Sequence, residues 1–419
     1  MKCLLLGAGK TSIECLKTLV KLKKKVSVCL NKDELVKIKE FYGVIEEIYA
    51  FDDFYDIDFN KFDYIVRSPG LSILNPYIKY LKDNNIKLIN EMELTYILTN
   101  KKGYYIGVTG SNGKSSTVSL LYECIRKQTS NVLLAGNIGT PLISLIDKIN
   151  NYTIIILEMS SFQLEDMHEL KFDIGCILNL SINHLDNVSS LEYYYNSKFN
   201  ITNLQSEFDY LLLDLTDKET NNFVSNKDIK SKVIDYSKET LLVNDTKLKG
   251  EHNKKNIKAV TSILKILGFD IDVFTIKNYL PLKYHLEESE VNGRLIVNDS
   301  KSTTSESLRC ALETYKEKNI VLIFGGKNKG GSFIFLNDYN LKYKICFGAL
   351  SKEIDDIDVD DKVYYLEDAV RCALSNSSDN DVILFSCGCA SFDLFSSYKN
   401  NRSVFQGGYF CVLLFFQTE

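Results

Sequence analysis

The sequence predicts an α/β protein of three domains in series, and three observations carry that expectation. The N-terminal stretch reads as strand, glycine turn, helix and strand. A second strand-to-helix turn, GVTGSNGKSST at residues 107 to 117, carries a lysine behind its glycines. Strand-like apolar runs then restart after residue 283, and most end in a polar loop. The expected organisation is a Rossmann-like domain over 1–95, a central P-loop ATPase-like parallel-sheet domain over 96–282 and a C-terminal Rossmann-like α/β domain over 283–419.

In the first domain CLLLG, TSIECLKTLVKL and KVSVCL form a βαβ unit that opens on Gly7-Ala8-Gly9. Ser12 stands where a third fingerprint glycine would be. Leu30-Asn31 occupy the end of the second strand, and the first acidic residue, Asp33, lies just beyond. A GxG so altered points away from NAD and toward another phosphate-bearing ligand. FDYIVRSPGLS adds a strand and a Ser-Pro-Gly turn, a second place where backbone amides could meet that ligand.

In the central domain KGYYIGV reads as a short strand and SSTVSLLYECIRK as a helix by its apolar spacing. The glycines between them bring bare N–H groups and a helix N-terminus onto an anion. The strict pattern G-x-x-x-x-G-K-[ST] is not met, because Val108 stands where its first glycine belongs. Lys114 is placed to reach outer phosphates, and a hydroxyl from Ser115 or Ser116 to ligate Mg²⁺. TIIILE and IGCILNLS are near-continuous apolar runs suited to parallel strands covered on both faces. Glu158 ends the first and His184 follows the second, so on neighbouring strands they make a metal constellation beside the loop. Lys198, in YYYNSKFNI, reads by itself as a solvated helical lysine.

In the third domain RLIVND, NIVLIFGG, KICFG and DVILFSCG supply the strands. NDSKSTT places Asp299, Lys301 and Thr303 after a strand, GGKNKGG places Lys329 on a glycine turn, and CGCASFD offers Ser391 at another strand end. Cations and hydroxyls at adjacent strand ends suit a small dicarboxylate.

Composition narrows the class. Hydrophobic residues make up 45% and charged residues 25%, as in ordinary soluble globular proteins. A net charge of −5 offers no basic field for nucleic acid. The 11 cysteines contain no CxxC pair and read as small buried hydrophobes of a reducing cytosol, and 4 histidines leave little for zinc. MKCLLLGAGK reads as a buried strand, not a signal peptide. YFCVLLFF near the other end is too short to span a bilayer. A cytoplasmic monomer without membrane insertion is expected.

Taken together these segments resemble the ATP-dependent Mur ligases of peptidoglycan synthesis, over nearly the whole chain. TGSNGKSS is similar to that family's TGTNGK-type loop. GNIGTPL, EMSSFQLE, ILNLSINHLD, the SKF lysine, GEHNKKN, NDSKSTT and CASFD look like segments of the branch that adds D-glutamate to UDP-N-acetylmuramoyl-L-alanine, in its order. NDSKSTT discriminates, because sister ligases and folylpolyglutamate synthases carry histidine- or asparagine-rich loops there.

The resemblance implies roles residue by residue. Gly110, Ser111, Asn112, Gly113, Lys114, Ser115 and Ser116 would bind ATP, with Asn256, Asp299 and His285 as further contacts. Two Mg²⁺ ions would be held, one by Ser115 and Glu158, the other by His184 and a Lys198 carbamylated by CO₂. Lys114, His184 and Lys198 would be the catalytic set. Ser12 and Asn137 would serve the UDP-substrate, and Lys301, Thr303, Lys329, Ser391 and Phe392 the incoming D-glutamate.

The chain departs from the pattern in two places. Tyr284-His285 precede Leu286-Glu287 where the family has His-Arg, and Ser403 follows Arg402 where glycine is customary. A neutral histidine is a poor substitute for an arginine on phosphate. The residues therefore also fit a relative that binds nucleotide sugar without turnover, or a ligase for another amino acid.

Overall fold

The computed structural model describes residues 1–181, 190–241, 243–291, 293–328, 330–390 and 394. His184, Lys329, Ser391, Phe392, Arg402, Ser403 and the YFCVLLFF run lie outside the described residues. The chain divides into two compact units. One comprises Met1–Leu180, Asn187–Leu241 and Asn256–Asp272, and the other includes Leu242–Lys255 and Val273–Glu419.

Two sheets lie in the first unit. The N-terminal one contains β1 (Lys2–Leu6), β2 (Lys25–Leu30), β3 (Ile48–Ala50), β4 (Tyr64–Arg67) and β5 (Leu88–Ile89). All pair in parallel, in the order β3-β2-β1-β4-β5, which is the Rossmann winding. The apolar run of β1 follows from burial on both faces. Cys3 and Leu5 pack with Cys15, Leu16 and Leu19 of helix Lys10–Lys21 on one side. Leu4 and Leu6 pack with Phe54, Ile78 and Leu81 on the other. A fully buried aliphatic side chain contributes roughly 1.5–3 kcal/mol, so these layers fix the sheet.

The second sheet contains β6 (Tyr104–Thr109), β7 (Val132–Gly136), β8 (Ile154–Glu158), β9 (Ile174–Ile177), β10 (Tyr210–Leu213) and β11 (Lys232–Asp235), again parallel. Their order, β11-β10-β9-β6-β8-β7, corrects one expectation. β8 and the strand that leads toward His184, β9, are not neighbours, because β6 is inserted between them. Parallel strands with helical crossovers need not stack in chain order, and the insertion puts Glu158 and the end of β9 on opposite flanks of the glycine loop.

Buried polar contacts join these two layers. The Glu91 carboxylate accepts from the N–H groups of Leu142 and Ile143 at 3.2 and 3.0 Å. Asn90 caps helix Glu91–Leu98 through its Oδ1 and donates from Nδ2 to Gln163 O at 2.7 Å. Arg67, at the end of β4, donates to Phe162 O (2.7 Å) and Leu71 O (3.3 Å) and pairs with Asp166. The Ser68–Leu71 turn is thereby tied to the segment that follows Glu158.

The second unit holds the third sheet: β12 (Glu287–Val291), β13 (Arg294–Asp299), β14 (Ile320–Gly325), β15 (Tyr343–Phe347), β16 (Asp361–Lys362) and β17 (Val382–Gly388). Its order is β12-β13-β17-β14-β15-β16. β12 and β13 form an antiparallel edge and the remaining pairs are parallel. Leu322 and Phe324 face one core layer, Val321 and Ile323 the other. Among the described residues no helix is long and apolar enough to cross a membrane. The described cysteines are free and mostly buried, with Cys310 and Cys372 only partly so.

Candidate active site

The glycine loop runs from the end of β6 into helix Lys114–Arg126. Gly113 caps that helix with φ +84°, and a Cβ there would lie 2.6 Å from Asn256 Oδ1. Only glycine meets both demands without strain. The same contact puts the buried Asn256 against the loop, where the sequence expects a nucleotide contact. The first intrahelical bond is Thr117 N–H to Gly113 O at 3.0 Å. The amides of Lys114, Ser115 and Ser116 therefore precede the helical ladder and face the loop's concavity.

Two lysines meet at this loop. Lys114 Nζ donates to the carbonyl oxygens of Gly110 (2.7 Å) and Ser111 (3.0 Å). Lys198 Nζ donates to Gly110 O at 3.0 Å and lies 4.3 Å from the ring centroid of Tyr194. The reading of Lys198 as a solvated lysine is overturned: it is 1% exposed. Helix Leu191–Phe199, capped by Ser190, points the side chain inward. Burial, with the Lys114 charge adding to it, pushes its pKa well below the ordinary lysine value. Both effects favour the neutral amine at this position.

Glu158 ends β8 and is buried. Its Oε1 accepts from Asn137 Nδ2 at 3.0 Å, and its main-chain oxygen accepts from Asn137 N–H at 2.9 Å. Gly136 allows this closeness, since a Cβ there would sit 2.3 Å from Glu158 O. Glu158 Oε2 is buried with no hydrogen-bond partner among the described residues, a state that costs energy unless a cation or water completes it. Asn179, which the sequence reading did not single out, braces the other flank. Its Oδ1 accepts from Asn112 N–H (2.9 Å) and its Nδ2 donates to Asn112 O (3.1 Å). A polar residue just past a buried strand was the available signal.

The Mur ligase middle-domain model matches residues 108–281. A UDP-N-acetylmuramoylalanine–D-glutamate ligase of Francisella philomiragia is 32% identical over 85% of this chain and 88% of its own length. One from Thermoanaerobacter sp. is 33% identical over 97% of both. The chain belongs to the Mur ligase family. Solved Mur ligases share its fold. The MurF ligase of Thermotoga maritima, solved in complex with ADP, has a TM-score of 0.63 at 17% identity and covers 92% of this chain and 94% of its own. The UDP-N-acetylmuramate–alanine ligase of the same organism has a TM-score of 0.58 at 14% identity, over 98% and 100%.

Mur ligases use ATP, typically with Mg²⁺, and the residues present fit that ion. Glu158 Oε2 is an unsatisfied carboxylate oxygen, and the Ser115 hydroxyl lies in the first turn of the loop's helix. Oxygen donors of this kind suit Mg²⁺.

The remaining positions are distributed as follows. Gly7-Ala8-Gly9 and Ser68 meet at the topological switch point of the N-terminal sheet, where a Cβ on Gly9 would lie 3.1 Å from Ser68 Oγ. Ser12 is buried in the first turns of the adjoining helix. In the third sheet β13, β17 and β14 are adjacent, so the loops of Lys301 and Thr303, of Lys327 and of Ala390 come together. Gly388 N–H donates to Ser302 O at 3.0 Å, and Lys327 and Ala390 exchange backbone bonds. Asp299 is buried in the same unit. Its Oδ1 accepts from Leu286 N–H (3.2 Å) and its Oδ2 from Ser386 Oγ (2.8 Å). Burial raises its pKa to about 7. Half-buried His285 has Nδ1 3.2 Å from Lys283 O, between Tyr284 and Leu286, which both adopt positive φ.

Proposed function

We propose that this Mur ligase joins D-glutamate to UDP-N-acetylmuramoyl-L-alanine at the expense of ATP, a step of peptidoglycan synthesis. The observation that carries the reading is the match, over 85–97% of the chain, to relatives named for that reaction. The loop geometry gives it a chemical basis.

Lys114 rests on carbonyl oxygens of its own loop and swings from them to the outer phosphates of ATP. The amides of Lys114, Ser115 and Ser116 hold the same phosphates, with Asn256 and the third-domain residues His285 and Asp299 as further nucleotide contacts. Two Mg²⁺ ions, when bound, offset the charge of the phosphates as the substrate carboxylate approaches. Ser115 and Glu158 would hold one, His184 and a carbamylated Lys198 the other. The neutral Lys198 amine is the form that reacts with CO₂. An N–C bond forms, a proton leaves, and the amine becomes a carbamate, an oxygen ligand for the ion.

Ser12 and Asn137 orient the UDP-substrate so that an oxygen of its alanyl carboxylate attacks the γ-phosphorus and the bond to ADP breaks. Lys301, Thr303, Lys329, Ser391 and Phe392 hold D-glutamate with its amine toward the resulting acyl phosphate. The amine attacks the carbonyl carbon, loses a proton and expels phosphate. We assign the UDP-substrate to residues 1–95, ATP to 96–282 and the amino acid to 283–419, in a monomeric cytoplasmic enzyme.

The test is ADP release with UDP-N-acetylmuramoyl-L-alanine and a panel of amino acids. D-glutamate should support release and the others should not. Release with a different amino acid and none with D-glutamate would reassign the third-domain pocket.

A further inference from the structure

Asn179 lies two residues past the end of β9, and its side chain acts as one more rung of the sheet. Leu178 N–H donates to Thr109 O at 2.9 Å, continuing the β6–β9 pairing, and Ser111 N–H donates to Asn179 O at 3.1 Å. Beyond that point the backbones diverge, and the Asn179 carboxamide takes over. It accepts from Asn112 N–H at 2.9 Å and donates to Asn112 O at 3.1 Å. Both main-chain groups of one loop residue are thus satisfied by one side chain. The Asn112 amide is spent on this pair, which leaves phosphate recognition to the amides that follow it.

We propose that Asn179 is a positioning residue of the phosphate loop. It fixes Ser111 and Asn112 before nucleotide arrives, so that the loop and the first turn of helix Lys114–Arg126 form a ready-made cradle for a nucleoside diphosphate or triphosphate. An anion site built from backbone N–H groups binds well only if those groups are ordered in advance. Lys114 and Lys198 hold the carbonyls of Gly110 and Ser111, and the Asn179 side chain holds both main-chain groups of Asn112. The inference rests on the loop being the nucleotide site.

The test compares the full-length protein with its Asn179→Leu and Asn179→Asp variants, by titration calorimetry with Mg-ADP and by amide hydrogen exchange without nucleotide. Asn179→Leu should weaken ADP binding about 10- to 100-fold, the scale of leaving a half-buried donor and acceptor of the loop unpaired. It should also raise Asn112 N–H exchange in the free protein, with the KM values for the other two substrates within about twofold. Asn179→Asp keeps the acceptor and should keep Asn112 N–H protected. Unchanged ADP affinity and Asn112 exchange in Asn179→Leu would overturn the proposal. So would a uniform loss of stability and of all substrate affinities, which would mark a structural residue. Failure of the parent protein to bind ADP would instead sink the nucleotide reading itself.

Discussion

Lys198 and Lys114 share one acceptor: their Nζ atoms lie 3.0 and 2.7 Å from the carbonyl oxygen of Gly110. Two ammonium groups this close repel each other, and burial together with the Lys114 charge lowers the Lys198 pKa. The loop thus brings two lysine amines to one carbonyl oxygen, and the Lys198 side chain is the buried one.

Lys114→Ala removes the cation without disturbing the core, because its bonds are to loop carbonyls. ADP release should fall by at least about 100-fold, the scale of losing one transition-state charge contact, with an unchanged circular dichroism spectrum. Retained turnover in the folded variant would take the loop out of the mechanism.

Lys198→Ala should be nearly inactive, and a short carboxylic acid added in solution should restore part of the rate by supplying the missing oxygen ligand. Mass spectrometry of the native protein under CO₂ should find an added carboxyl at Lys198. Near-normal rates in the alanine variant would refute the carbamate.

Asp299→Asn separates stability from activity. Burial raises the Asp299 pKa from 3.8 to about 7. Its protonated form therefore favours the folded state fully below about pH 4, and that contribution is lost as pH rises through about 7. Asparagine accepts from Leu286 N–H and donates to Ser386 Oγ at any pH. Chemical denaturation at pH 8 should show the variant more stable by about 1–3 kcal/mol, with the gap closing toward pH 4, while nucleotide-dependent activity declines. A constant difference across pH would exclude the buried titration.

His285→Arg restores a permanent, forked cation where the family carries one. A charge-assisted bond contributes roughly 1.5–3 kcal/mol, so the KM for ATP should fall about 10- to 100-fold, most clearly at alkaline pH. An unchanged KM across pH would mean that His285 faces elsewhere, with a residue such as Lys283 in the contact.

The glycine turn between β6 and helix Lys114–Arg126 was legible because its signal is local. Glycines, a lysine and hydroxyls within eleven residues of a strand-to-helix turn leave few other uses. The N-terminal winding was legible for a similar reason, since Gly7-Ala8-Gly9 marks a βαβ turn. The adjacency of β8 and β9 was misread because strand order is a tertiary property, and nothing in TIIILE or IGCILNLS says that β6 lies between them. Lys198 was ambiguous for the same cause. Its helix has polar and aromatic residues on several sides, and only the packed sheet decides that position 198 faces inward. Asn179, Arg67 and Glu91 act across strands or between layers, with partners 67, 95 and 51 residues away. Sequence spacing carries no trace of such pairs.

The most direct test of the account follows the oxygen atoms of the substrate. UDP-N-acetylmuramoyl-L-alanine labelled with ¹⁸O in its alanyl carboxylate is turned over with ATP, Mg²⁺ and D-glutamate, and the released phosphate is analysed by mass spectrometry. Activation of that carboxylate by the γ-phosphoryl group predicts that labelled oxygen passes into inorganic phosphate in step with ADP, leaving label in the new amide. Phosphate free of label, alongside full amide formation, would contradict an acyl phosphate and the mechanism built on this loop.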